Sequence, residues 1–192
     1  MQALSDIADQ AVMLPFGVLV WLGLLIGGWH RAARAWAIVV PVTLGAVLLA
    51  KLAVLGCGGN LGLRFGLHSP SGHTASAALV LGGLAALLSP IRRRVLAGLG
   101  VSGLFAGVIG ATRIALGVHS LGDVLAGAAI GMAGAAALLH LAGPRPPRLR
   151  RVWLLLGALA VVALLLHGQR LPAEQHISDY ARRVWPFTGC AA

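Results

Sequence analysis

The chain has 192 residues, of which 58% are apolar and only 10% charged, and its mean hydropathy is +0.89. A water-soluble domain carries about a quarter charged residues, so most of this surface has to face lipid. The net charge of +10 does not point to nucleic acid, because the basic residues interrupt apolar runs instead of forming a patch interleaved with aromatics.

The length suits one membrane-embedded domain spanning residues 1–192 and leaves no room for a second. The first basic residue is Arg31, so no positive region precedes the first apolar run and a secretory signal is not expected. Six apolar segments follow in order, at about 11–29, 36–55, 74–88, 95–111, 121–141 and 152–166. A spanning helix needs roughly 20 apolar residues, fewer where the bilayer is thin. The segments therefore predict an all-α fold, a six-helix transmembrane bundle. The 27 glycines fit close helix packing in such a bundle.

Alternate connections carry His30, Arg31 and Arg34, then Arg92, Arg93 and Arg94, then Arg145, Arg148, Arg150 and Arg151. The other side carries Lys51, Arg64, Arg113, Arg170, Arg182 and Arg183, with all five acidic residues: Asp6, Asp9, Asp123, Glu174 and Asp179. The positive-inside rule places the Arg-rich connections in the cytoplasm. Both termini and the connections 56–73 and 112–120 then lie outside, in the periplasm of a bacterial inner membrane. In the tail, Ile177, Tyr180, Ala181, Val184 and Trp185 recur at helical spacing, which predicts an interfacial helix over about 172–186.

Ionisable residues at membrane depth are costly and point to function. Lys51, Arg64, His68, His73, Arg113, His119 and Asp123 all belong to the outer face. Pro70-Ser71-Gly72-His73 precedes an apolar run. Pro and Ser suit a helix start, whose unpaired N–H groups form an anion site, and Gly72 lets an anion approach closely. His119 and Asp123 are four residues apart, so a helix sets them on one face. A carboxylate on one imidazole nitrogen fixes the tautomer and raises the basicity of the other. Arg113 offers a planar fork for phosphate oxygens. Together these make a site shaped for phosphate. A serine hydrolase fits less well, since Ser71 has no strand–elbow setting. A metal fits least, since adjacent cations would repel it and Cys57 and Cys190 lack ligand spacing.

The pair Pro70–His73 (PSGH) and Arg113-x5-His119-x3-Asp123 resembles motifs two and three of the type 2 phosphatidic acid phosphatase (PAP2) superfamily, over a core of about 45–140. Motif three usually begins Ser-Arg and here reads Thr112-Arg113. Motif one departs: Lys51 is present, but no Arg-Pro follows at the usual spacing, and Arg64 is the cation left in that loop. The resemblance implies a membrane phosphatase in which His119 attacks phosphorus, Asp123 orients it and His73 serves as acid and then base. Lys51, Arg113, Arg64 and the N–H groups near Ser71 and Gly72 would hold phosphate oxygens. It implies no cofactor and no metal. Its substrate would be a lipid phosphate or pyrophosphate, with undecaprenyl pyrophosphate ahead of phosphatidylglycerophosphate, phosphatidic acid and lipid A phosphates. The alternatives are a lipid-to-lipid phosphotransferase and a non-catalytic membrane protein with a decayed site. Both cysteines fall on the outer face, so a Cys57–Cys190 disulfide is a further expectation, alongside two free thiols.

Overall fold

The computed structural model describes residues 2–56, 66–90, 93–146, 152–166, 168–169, 176–177, 179–180 and 183. Among these residues the fold is all-α, with seven helices and no strand: α1 (Gln2–Ile7), α2 (Gln10–Ile26), α3 (His30–Gly56), α4 (Gly72–Leu88), α5 (Arg94–Ala115), α6 (Leu121–Leu141) and α7 (Val152–Leu165).

Each of the six apolar segments coincides with one helix, α2 to α7, with shifted ends. The largest shift is at α3, which begins at His30 and takes in the first basic connection. Gly28 explains it: its φ of 74° turns the chain within the three residues between α2 and α3, a conformation that only glycine adopts at no cost. Helix α1 has no counterpart among the expected elements. Among the described residues, three helices are long and apolar enough to cross a membrane, over His30–Leu55, Arg94–Ala115 and Leu121–Leu141. Helices α2 and α4 have 17 residues each and α7 has 14. The three long apolar helices are compatible with a membrane protein. The tail helix expected over about 172–186 falls, isolated residues apart, outside the described residues.

Helix α4 is the centre of the bundle. It is apolar on every side and buries residues from Thr74 to Leu87 against α5, α6, α3 and α2, as expected of a helix without a polar face. Small residues let its neighbours come close. A Cβ on Gly98 of α5 would lie 2.8 Å from the Ala86 Cβ, and one on Gly134 of α6 would lie 2.8 Å from Leu79 Cδ1. The outer faces are apolar instead: Leu14, Val18, Ile38, Val42, Leu96, Leu104 and Leu125 are exposed. That surface suits lipid and not water.

The helices run alternately up and down, so the bundle has two chemically different ends. At one, Trp29 Nε1 donates to the Ala142 carbonyl (3.1 Å), Arg31 Nε to Leu141 (2.9 Å), Arg94 Nη1 to Gly143 (2.6 Å) and Arg145 Nη1 to Leu88 (2.8 Å). The other end gathers Asp9, Lys51, Ser69, His73, Arg113, His119 and Asp123. The charged connections therefore segregate as their alternation in sequence requires.

Candidate active site

Helices α2, α4 and α6 all start at this second end. Each start is capped by a side chain. Asp9 Oδ1 accepts from the Ala11 N–H (2.8 Å), and Ser71 Oγ from the Thr74 N–H (3.4 Å) and hydroxyl (2.9 Å). At α6, Ser120 Oγ accepts from the Asp123 N–H (3.1 Å) while Asp123 Oδ2 accepts from the Ser120 N–H (3.0 Å). This reciprocal arrangement is a capping box. Three helix N-termini converging on one end set up a field that favours an anion.

Asp123 organises the site. It is 1% exposed. Its Oδ1 accepts from the backbone N–H groups of His68 and Ser69, both at 2.7 Å, and its Oδ2 lies 3.4 Å from His119 Nδ1. Its own carbonyl accepts from the Ser71 N–H at 2.9 Å. One residue thus joins the start of α6, the loop before α4 and the imidazole. The contact engages Nδ1 of the His119 ring, and the residue is 8% exposed.

Gly127 makes this junction possible. It sits one turn after Asp123 on α6, where a Cβ would lie 3.2 Å from the Ser71 carbonyl carbon and 3.3 Å from its nitrogen. Only a residue without a side chain lets α6 lie directly against the backbone at the start of α4.

The cations arrive from the ends of the two antiparallel helices. Lys51, near the end of α3 and 4% exposed, donates from Nζ to Ser69 Oγ at 3.2 Å. Its chain passes over Gly72, where a Cβ would lie 3.7 Å from Lys51 Cε. Arg113, in the last turn of α5, donates from Nη1 to Ser5 Oγ at 3.1 Å. His73, in the first turn of α4, places Nε2 3.3 Å from Asp9 Oδ2.

The structure thus gathers Lys51, Ser71, Gly72, His73, Arg113, His119 and Asp123 at one end of the bundle. Arg64, Cys57 and Cys190 lie outside the described residues. Ser71 uses its N–H and hydroxyl to start α4 and hold it to α6, and the next N–H groups of this first turn are those of Gly72 and His73. His68 contributes its backbone N–H to Asp123, while its side chain is exposed. Three residues were not legible as site residues in the sequence: Ser5, Asp9 and Ser69. The signal available for Asp9 was its acidity, in a chain with five acids all assigned to the outer face.

An all-α protein with an oriented histidine, a second histidine and two cations beside converging helix starts is equipped for phosphate chemistry. A sequence profile of the PAP2 superfamily matches residues 52–147. The chain is also 31% identical to an uncharacterized 22.5 kDa protein in the cps region of Klebsiella pneumoniae, over 97% of this chain and 92% of that one. The protein belongs to the PAP2 superfamily, whose members are phosphatases. No solved structure matches the chain.

Proposed function

We propose that this protein is a metal-independent phosphatase for a lipid phosphate or pyrophosphate, working through a phosphohistidine at the outer face of a bacterial inner membrane. The observation that carries this reading is the contact of His119 Nδ1 with a buried, fully hydrogen-bonded Asp123. It leaves Nε2 to attack phosphorus. In the first step the Nε2–P bond forms as the bond from phosphorus to the leaving oxygen breaks, and His73 gives that oxygen its proton. In the second, His73 takes a proton from water, the water oxygen bonds to phosphorus, and the Nε2–P bond breaks to release inorganic phosphate. Lys51, Arg113 and the N–H groups of Gly72 and His73 stabilise the charge on the equatorial oxygens.

Support for a lipid substrate comes from an apolar groove of about 290 Å³ between α2, α3 and α4. Met13, Gly17, Val18, Trp21, Trp36 and Val80 line it, with Ser76 as a polar residue. Met13 and Ser76 stand one turn into the bundle from Asp9 and His73, so a headgroup at the site would leave its chain in the groove. In this reading α2 to α7 all cross the bilayer. Helices α2 and α4 extend about 26 Å at 1.5 Å per residue, close to a hydrocarbon core of about 27–30 Å. The Arg-rich end faces the cytoplasm. Undecaprenyl pyrophosphate is the favoured substrate, because its recycling requires an outward-facing site.

Purified protein in lipid nanodiscs should release phosphate from at least one of undecaprenyl pyrophosphate, phosphatidylglycerophosphate and phosphatidic acid. Brief exposure to a labelled substrate should leave acid-labile, base-stable label on the wild type and none on His119→Ala. Label retained in His119→Ala would overturn the mechanism. Transfer of phosphate to a second lipid, without release to water, would replace the hydrolase with a phosphotransferase.

A further inference from the structure

The N-terminal segment closes the same end of the bundle through three contacts. Ser76 Oγ donates to the Ala8 carbonyl (3.3 Å), Arg113 donates to Ser5 Oγ (3.1 Å), and His73 Nε2 lies 3.3 Å from Asp9 Oδ2. Asp9 is 5% exposed. It lies far outside the stretch 52–147 that matches the family.

A buried carboxylate beside a phosphate site is costly, because it repels the anion the site must hold. Two features offset that cost. Oδ1 caps the start of α2, whose partial positive charge favours an anion there. Oδ2 faces a histidine, and a neighbouring carboxylate favours the protonated imidazolium.

We propose that Asp9 is the positioning residue for His73: it holds Nε2, fixes the ring, and leaves Nδ1 to exchange the proton with the leaving oxygen and then with water. The site then contains two histidine–carboxylate pairs on different elements. Asp123 makes His119 a nucleophile, and Asp9 makes His73 an acid. This inference rests on the phosphatase reading for its catalytic consequence, and on the Asp9–His73 contact for its effect on His73 itself. Among the described residues, the other charged or titratable groups at this end are Asp6 from α1, Lys51 from α3, His68 from the loop before α4, Arg113 from α5, His119 from the loop before α6 and Asp123 from α6. The cations oppose protonation of His73 and the carboxylates favour it, and Asp9 Oδ2 lies 3.3 Å from its Nε2.

Asp9→Asn is the discriminating variant. Asparagine caps a helix as well as aspartate does, so a residue that merely starts α2 would tolerate it. The expected result is a fall in kcat of about 10–100-fold, KM within about threefold, and a basic limb of the kcat/KM profile moved to lower pH. The direction follows from the charge: without the carboxylate, His73 loses its proton at lower pH, and the first step needs that proton. Asp9→Glu should recover part of the rate, and Asp9→Ala should also lower Tm by losing the cap. The readout independent of turnover is NMR of 15N-histidine-labelled protein, in which the His73 titration midpoint should drop in Asp9→Asn. An unchanged midpoint overturns the positioning role whether or not the protein proves to be a phosphatase. A lowered midpoint with no turnover by the wild type keeps the Asp9–His73 pair and overturns the phosphatase reading instead.

Discussion

The two ends of the bundle solve the same problem with opposite chemistry. At one end, α4 and α6 finish: their last carbonyls accept from Arg145 and Arg31, and the Gly143 carbonyl just past α6 accepts from Arg94. Cations there complement the negative ends of the helices, and Arg94 also lies 5.0 Å above the Trp29 ring. At the other end the same helices begin, and their N–H groups and the preceding loop are met by Asp123, Ser120 and Ser71. The difference lies in what is added. The Arg-rich end needs nothing more than its caps. The other end also brings in Lys51, Arg113 and two histidines, charges that helix capping does not require. Under the proposed phosphatase reading those additions make it the reactive end, and they give the comparison measurable content.

The largest effects should fall on the reactive end. His119→Ala should remove turnover and His73→Ala should reduce it by about 10²–10⁴-fold, with Tm little changed in either. Asp123→Asn should behave differently. Three backbone N–H groups converge on this carboxylate, and an amide would set its own N–H groups against at least one of them. Activity should fall to a small residue and Tm should fall too, since an unsatisfied buried donor costs about 1–3 kcal/mol. Thermal unfolding and initial rates on the same samples separate the two classes. A Tm for Asp123→Asn equal to that of His119→Ala would reduce Asp123 to an orienting residue alone.

Next in size comes Gly127→Ala. Its Cβ would press on the Ser71 backbone, so α4 and α6 would have to part and carry Asp123 away from residues 68 and 69. Gly103→Ala, where a Cβ would meet nothing within 4 Å, is the control and should be neutral in both rate and Tm. Equal behaviour of the two variants would show that the close approach of α6 to Ser71 is dispensable.

At the opposite end, Arg94→Ala should lower stability by about 1–3 kcal/mol through the lost charged hydrogen bond and the uncovered Trp29. The kcat of the protein that remains folded should be unchanged. A selective fall in kcat with Tm intact would erase the division of labour between the ends.

Much of this division was legible in the sequence. The six apolar runs, the alternation of Arg-rich and mixed connections, and the residues His73, Arg113, His119 and Asp123 all follow from periodicity, spacing and charge. What was not legible depends on loops. The role of Asp123 as an acceptor for residues 68 and 69 arises from backbone groups, which carry no residue signature. Helix α1 has only six residues, too few to show a period. Asp9 reaches His73 across 64 positions (73 − 9), a contact that only the packing of α2 on α4 creates.

The smallest expected effect tests how Lys51 is held. Ser69 does two separate things: its N–H donates to Asp123 Oδ1 at 2.7 Å, and its Oγ accepts from Lys51 Nζ at 3.2 Å. Ser69→Ala removes the second and keeps the first, so the loop and the His119–Asp123 pair should stay in place. The ammonium loses one neutral acceptor, worth about 0.5–1.5 kcal/mol, and keeps its charge and its position over Gly72. Because the Ser69 hydroxyl holds the ammonium without meeting the phosphate, its loss should be felt in ground and transition state alike and appear mainly in KM, as a rise of about two- to tenfold by that energy. The kcat should stay within about twofold, since an interaction lost equally from both states leaves the chemical barrier unchanged. Lys51→Ala, by contrast, removes the charge itself and should lower kcat as well. If Ser69→Ala lowered kcat as far as Lys51→Ala does, the hydroxyl would be what aims the ammonium at the transition state, and the end that binds phosphate would be more finely constrained by this loop than by its helix termini.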